Sequence, residues 1–196
     1  VLLKDRALLW FTLSGLLASF VGGSFASCIS QYVLVASTSD FAEKVVAVVL
    51  PVNAAVVVGL QYAVGRRLSA SNIRPLMALG TLFFVLGLVG FMISGENLLL
   101  WGVAAAVFTV GEIIYAPGEY MLIDNIAPAG MKASYFSAQS LGWLGAAVNP
   151  MATGMILTNL PHWSLFAIMM VVIIAAWLMI LRGMNIHPRS DTVSAA

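Results

Sequence analysis

Charged residues are scarce in this sequence. Asp, Glu, Lys and Arg together make up 9% of its 196 residues, whereas about a quarter of the residues of a soluble domain are charged. So few charges cannot cover a water-facing surface of this size. Since 61% of the residues are hydrophobic, lipid is the expected solvent for most of the surface. The formal net charge of +1 also argues against a nucleic-acid binder, which would carry a basic patch.

Residues that bind metals or form disulfides are equally few. Cys28 is the lone cysteine and lies in an apolar run, so no internal disulfide can form and a small buried side chain is expected. His162 and His187 have no metal-ligand spacing. Zinc-protease, nucleophile-elbow and phosphate-loop motifs are absent from the sequence. We therefore expect no metal, no cofactor and no enzymatic activity.

No secretory leader is expected at the start of the chain. No segment with a charged and then an apolar part precedes Ala7, so no signal peptide is expected. The chain begins at Val1 without an initiator methionine, and we expect it to be a piece of a longer protein.

Long apolar runs dominate the rest of the sequence. A helix needs about 20 apolar residues to cross the hydrocarbon core, and the strands of a membrane barrel would instead alternate over about 10 residues. The runs here are continuous, so the sequence predicts an all-α integral membrane protein with a six-helix bundle in residues 1–182 and a polar cytoplasmic tail in residues 183–196. The six predicted spans are Ala7–Val35, Val45–Val64, Pro75–Ser94, Leu98–Pro117, Ala133–Leu157 and Trp163–Leu181.

The basic residues are distributed unequally between the two sides of these spans. One side holds only Lys44, and the other holds Lys4, Arg6, Arg66, Arg67, Arg74, Lys132, Arg182 and Arg189. Basic residues favour the cytoplasmic side, so both chain ends are predicted to be cytoplasmic. Trp101 and Trp163 then fall near the outer interface, where indoles tend to lie.

Glu112 is the charged residue that stands out within a predicted span. It lies in the cytoplasmic half of the fourth span, and an intramembrane carboxylate defaults to a functional hypothesis. Burial disfavours the charged form of a carboxyl group, which suits a residue that accepts and releases a proton. The alternative is a structural partner for Arg66 or Arg67. Glu119 lies seven residues on, hence on the same helical face, and is interpreted as a member of a structural ion pair.

Uncharged polar residues also occur within the spans. Gln31 and Asn53 either form interhelical hydrogen bonds or line a water-filled cavity. Asn149 precedes Pro150, which is expected to break its helix because proline removes a backbone hydrogen bond. Small residues on the same span favour close helix contact; these are Gly142, Gly145, Ala146 and Ala147.

Three segments together resemble the C-terminal half of a major facilitator superfamily transporter. The segment Gly59–Arg67, followed by Arg74-Pro75-Leu76, is similar to a degenerate copy of the superfamily's basic loop after helix eight, with Ala63 in place of the family's acidic residue. Gln31-Tyr32-Val33 is similar to helix seven. A third segment resembles helices ten and eleven of bacterial drug:proton antiporters, the MdtH-type multidrug resistance proteins. Its matching residues are Gly111-Glu112, Pro117, Ile126-Ala127-Pro128, Ser134-Tyr135-Phe136, Gly142 and Gly145.

This resemblance implies helices seven to twelve of a twelve-helix transporter, and a midplane substrate site between two halves. It implies proton-coupled efflux of small amphipathic compounds from the bacterial inner (plasma) membrane, with protons, lipids and an absent N-terminal half as partners. Glu112 is then expected in proton coupling or gating, with Gln31, Asn53 and Asn149 in the substrate cavity. Arg66, Arg67 and Glu119 are expected to form a cytoplasmic latch. A proton-coupled peptide or sugar importer and a non-transporting membrane assembly subunit remain as alternatives.

Overall fold

The described part of the chain, residues 5–23 and 25–186 of a computed structural model, is helical and contains no strand. His187, Arg189, Lys4 and most of the predicted tail lie outside these residues. The last helix continues past the predicted boundary at residue 182. The helices are α1 Arg6–Gly22, α2 Phe25–Ala36, α3 Ser39–Gly65, α4 Ile73–Ile93, α5 Leu98–Ile126, α6 Lys132–Gln139, a 3₁₀ helix Ser140–Trp143, α7 Leu144–Asn159 and α8 Ser164–Ile186.

Polar side chains cap the helices where the sequence turns from polar to apolar. Asp5 accepts hydrogen bonds from the backbone amides of Ala7 and Leu8, at 3.0 and 3.1 Å. Thr38 caps α3 through the amide of Phe41. Asn97 caps α5 through the amide of Leu100. Each cap satisfies an amide that has no partner inside its helix, which explains why these helices begin where they do.

Four helices are individually long and apolar enough to cross a membrane, namely α3, α4, α5 and α8. The first predicted span is divided into α1 and α2, which are bent by 45° relative to one another and qualify together as a fifth span. The fifth predicted span is helical throughout its length, but the 3₁₀ helix divides it into α6 and the 16-residue α7. The chain is thus a multi-pass helical membrane protein, and the count of six spans stays a prediction.

The predicted break at Pro150 is wrong. Helix α7 continues through Pro150 to Asn159, and the change of helix type lies earlier, at Ser140–Trp143. Proline is tolerated inside membrane helices because neighbouring groups can satisfy the backbone that it frees.

Glycine allows α4 and α5 to pack closely together. A Cβ on Gly87 would lie 2.6 to 2.8 Å from atoms of Phe108, including its backbone nitrogen. A Cβ on Gly111 would lie 2.9 Å from the carbonyl oxygen of Gly80. Helices without side chains at the contact can bring their backbones together and gain dispersion contacts, which drive association in lipid.

The small-residue face predicted for the fifth span performs the same role against α1. A Cβ on Gly145 would collide with the carbonyl oxygen of Leu16, and one on Gly142 would lie 3.0 Å from the backbone carbon of Gly15. The other side of α1 packs on α8, where a Cβ on Gly183 would collide with the ring of Phe11. The expectation of close helix packing is confirmed.

An aromatic cluster fills the bundle at the end where α5 begins. Trp101 is 1% exposed, stacks on Phe91 at 5.5 Å between ring centroids, and donates its indole N–H to the carbonyl of Gly95 at 3.0 Å. Tyr32 and Phe166 complete the cluster, with ring centroids 4.5 Å apart. Trp101 is therefore buried in the core at this end of the bundle, whereas Trp163 is 53% exposed. The placement of both near the outer membrane interface stays a prediction.

Two helices present wide apolar surfaces to the outside of the bundle. On α3, Val58 and Tyr62 are 84% and 74% exposed, and on α7, Met151 is 71% exposed. Exposed apolar surface of this extent requires lipid or another protein surface to cover it. Other helices also expose apolar residues, such as Leu99 of α5 and Val171 of α8, so α3 and α7 provide part of the surface where the bundle meets its surroundings.

Candidate functional site

A cavity of about 270 Å³ lies between α1, α4, α5 and the α6–3₁₀ segment. Its walls are mostly apolar or small, including Gly22 and Phe84. Two carboxyl groups enter it from α5, those of Glu112 and Glu119. A few convergent polar groups in an apolar concavity are typical of a small-molecule site.

The Glu112 side chain is tied to α3 by an amide. Asn53 donates its Nδ2 to Glu112 Oε2 at 3.1 Å and to the hydroxyl of Thr109 at 2.8 Å. Thr109 in turn donates to the carbonyl of Ala105 at 2.7 Å. The amide therefore orients one carboxylate oxygen of Glu112 without neutralising its charge, although Asn53 itself does not line the cavity. Two residues that the sequence assigned to the site, Glu112 and Asn53, are in direct contact.

The Glu119 side chain meets an amide from α6. Gln139 donates its Nε2 to Glu119 Oε2 at 3.5 Å, which is a long hydrogen bond. Glu119 Oε1 and Gln139 Oε1 are both buried and have no hydrogen-bond partner. The hydroxyl of Tyr115, one turn away on the same face of α5, is also buried without a partner. Buried polar atoms are rarely left unpaired in folded proteins, so this group of three is a distinctive feature of the cavity.

The predicted cytoplasmic latch is not assembled in this structure. The side chains of Arg66 and Arg67 are exposed, and no ion pair joins either of them to Glu112 or Glu119. The Arg66 guanidinium instead lies 5.6 Å from the ring centroid of Tyr62. A structural ion pair with Arg66 or Arg67, the alternative considered for Glu112, is therefore not formed here.

The remaining predicted cavity residues make helix contacts. Asn149 is fully buried and donates its Nδ2 to the carbonyl of Phe20 at 2.6 Å, while its Oδ1 accepts from Thr153 at 3.2 Å. This ties α7 to α1. Gln31 donates to Ser27 on its own helix at 3.2 Å and its Oε1 faces Gly154 of α7. Neither residue lines the cavity between α1, α4 and α5.

Two cavity residues did not enter the site predicted from the sequence. Gln139 is one of the polar residues of the fifth predicted span, and Tyr115 lies three residues after Glu112 and four before Glu119. Helical spacing of three and four places Tyr115 on the face of both carboxyl groups, so its position was readable from the sequence. The approach of Gln139 to α5 could not be predicted from the sequence, because it depends on how α6 packs against the bundle.

Charged groups at the α5–α6 connection are solvated. Lys132 pairs with Asp124, and the two side chains are 54% and 47% exposed. An exposed pair contributes about 0 to 1 kcal/mol. Among residues 5–23 and 25–186, no group of three His, Cys, Asp or Glu side chains is placed to hold a metal ion.

Sequence comparison adds a relative of known class. An uncharacterized MFS-type transporter of Escherichia coli, YdeE, is 72% identical to this chain over 188 residues. The alignment covers 96% of this chain and 48% of the relative, so the chain spans about half the length of the curated relative that it matches. No family model and no solved structure matches the chain.

Proposed function

Because the chain belongs to the major facilitator superfamily, a family of transporters and not of enzymes, we propose that it is the C-terminal six-helix half of a secondary active transporter. In this proposal the chain supplies helices seven to twelve, both of its ends are cytoplasmic, and the membrane is the bacterial inner membrane. The other half is the natural occupant of part of the exposed apolar surface on α3 and α7. Substrate would bind near the midplane between the halves.

The contact between Asn53 and Glu112 is the observation that supports this function best. A carboxyl group within a membrane span is costly and is retained where it performs a function. Here it lines a cavity, has no cationic partner, and is oriented by an amide from another helix. A neutral amide donor can hold both the charged and the protonated carboxyl group. We propose that Glu112 accepts and releases the coupled proton, or gates the cavity by doing so.

The cavity also bears on the class of substrate. Its volume of about 270 Å³ lies just below the range of about 300–1,000 Å³ of small-molecule sites, as expected if a second half contributes the facing wall. Apolar walls with two carboxyl groups suit an amphipathic compound, in particular a lipophilic cation. We propose proton-coupled efflux of such compounds. In this proposal Asn53 orients Glu112, Gln31 and Asn149 act from positions outside the cavity wall, and Arg66 and Arg67 form cytoplasmic contacts with the absent half.

Transport by the full-length protein in proteoliposomes tests the proposal. With a pH gradient imposed, we expect movement of a lipophilic cationic dye, and Glu112→Gln should lower the coupled flux at least about tenfold while the protein still inserts. The matched control is Glu96→Gln, an exposed loop position. Gradient-driven uptake of peptides or sugars, with no dye movement, would show that the protein is a nutrient importer and not a drug exporter. An absence of flux across dyes, peptides and sugars would favour a non-transporting assembly subunit.

A further inference from the structure

Two buried oxygen atoms, one on α5 and one on α6, have no hydrogen-bond donor. Gln139 already donates Nε2 to Glu119 Oε2, yet Glu119 Oε1 and Gln139 Oε1 remain buried and unpaired. Gln139 is 7% exposed, and a Cβ added to Gly15 would lie 2.7 Å from its Nε2, so α1 limits its movement. An unsatisfied buried acceptor costs about 1–3 kcal/mol. Here the two unsatisfied acceptors belong to the two residues that share one hydrogen bond, so a single cause should explain both.

One added proton would satisfy both atoms. A carboxylic acid and a primary amide form a ring of two hydrogen bonds, in which the acid O–H donates to the amide oxygen and the amide N–H donates to the acid oxygen. The second of these bonds is the observed Gln139–Glu119 bond. A protonated carboxyl group becomes a donor as well as an acceptor, so a proton on Glu119 Oε1 supplies the donor that Gln139 Oε1 lacks.

We propose that Glu119 is a proton-binding site in which the bound proton is shared with Gln139 and joins α5 to α6. The proton comes from water in the adjoining cavity, which both residues line, and returns there on release. Release leaves both buried acceptors without a donor and loosens the contact between the two helices. The binding of the proton stands on the geometry alone, and its use in coupling rests on the proposed transport function.

The surroundings of Glu119 favour the protonated form. The titratable groups that line the cavity beside it are Glu112, Tyr115 and Tyr120, all on α5. The faces that α1, α4 and the α6–3₁₀ segment turn to the cavity carry no Lys, Arg or His. The hydroxyl of Tyr135 on α6 donates a hydrogen bond to Asp5 Oδ2, at the start of α1, at 2.6 Å. With no cation to compensate a buried negative charge, the neutral form is the less costly one.

Infrared difference spectroscopy of the full-length protein, in H₂O and in D₂O, tests this site without any transport assay. At neutral pH we expect Glu119→Gln to remove one deuterium-sensitive carboxylic C=O band, whereas the matched Glu96→Gln variant keeps it. Gln139→Met, which preserves length but cannot accept the hydrogen bond, should shift the band to higher wavenumber. A carboxylic band unchanged in both cavity variants would overturn the proposal.

Thermal unfolding across pH gives a second readout with a definite sign. Wild-type stability should fall as pH rises and the shared proton is lost, because two buried acceptors are then left without a donor. Glu119→Gln carries a permanent donor in the same place, so it should be at least as stable as wild type and its Tm should lack this decline. A Glu119→Gln variant that is less stable than wild type at neutral pH would contradict the shared proton. If the band is present in wild type but Glu119→Gln keeps coupled transport, the proton site stands and its use in coupling is contradicted.

Discussion

Asn53 and Glu112 are the residues on which the proposed chemistry depends. One amide nitrogen serves both the carboxyl group and the Thr109 hydroxyl, so the three side chains form one unit across α3 and α5. Arg66, by contrast, lies at the end of α3 over the Tyr62 ring. The Glu112 side chain is therefore oriented by the neutral amide of Asn53 and not by a cation.

A double-mutant cycle distinguishes these partners. We expect Asn53→Ala and Glu112→Gln to be coupled by about 0.5–2 kcal/mol in the free energy of unfolding, because they are in contact. Arg66→Gln and Glu112→Gln should be additive within about 0.5 kcal/mol, as for separate sites. The measurement is reversible unfolding of the full-length protein in detergent. Strong coupling of Arg66 to Glu112, with none to Asn53, would restore the ion-pair interpretation.

Among the helices, the contacts of α7 with α1 and of α5 with α4 depend on side chains being absent. At Gly145 the nearest atoms are backbone atoms of α1, which cannot move aside as a flexible side chain would. Gly59 of α3 is also helical, but nothing lies within 4 Å of the place where its Cβ would stand. The two glycines therefore form a matched pair that separates packing from helix propensity.

Alanine substitution of these glycines should give effects of opposite sign. We expect Gly145→Ala to destabilise the bundle by about 1–3 kcal/mol, since overpacking forces the helices apart. Gly59→Ala should be neutral or stabilise α3 by up to about 1 kcal/mol, because alanine favours the helix. Thermal unfolding in detergent measures both. Equal losses from the two substitutions would show that packing at Gly145 is not the cause.

For the whole molecule, orientation in the membrane follows from the eight-to-one distribution of basic residues. The structure contributes the exposed positions at which this can be measured. Glu96 and Asn159 are exposed at one end of the bundle, and Ser71 and Ala129 are exposed at the other.

Cysteine labelling in intact cells tests the orientation. An impermeant thiol reagent should reach Glu96→Cys and Asn159→Cys, and should reach Ser71→Cys and Ala129→Cys only after the cells are opened. Cys28 is buried and should contribute no background from this chain. Labelling of Ser71→Cys from outside would reverse the predicted topology.

The sequence by itself was sufficient for the class of molecule and singled out Glu112 and Asn53, whose role in transport stays a prediction. In a chain this apolar, each polar residue within a span is conspicuous, because its burial in lipid needs a reason. The glycine-rich contact face and the membrane setting followed from composition and spacing in the same way. These are local properties, which depend on residues close together in the sequence and not on tertiary contacts.

Only the tertiary structure decided which side chains meet. Glu119 was expected to pair with arginine, but its partner is the amide of Gln139. Trp101 packs in an aromatic core with Phe91 and Tyr32, which the sequence did not predict. The span from Ala133 to Leu157 was expected to break at Pro150, but it changes helix type at Ser140–Trp143 instead. Each difference depends on how helices distant in sequence approach one another, and a single apolar run carries no information about the partner against which it packs.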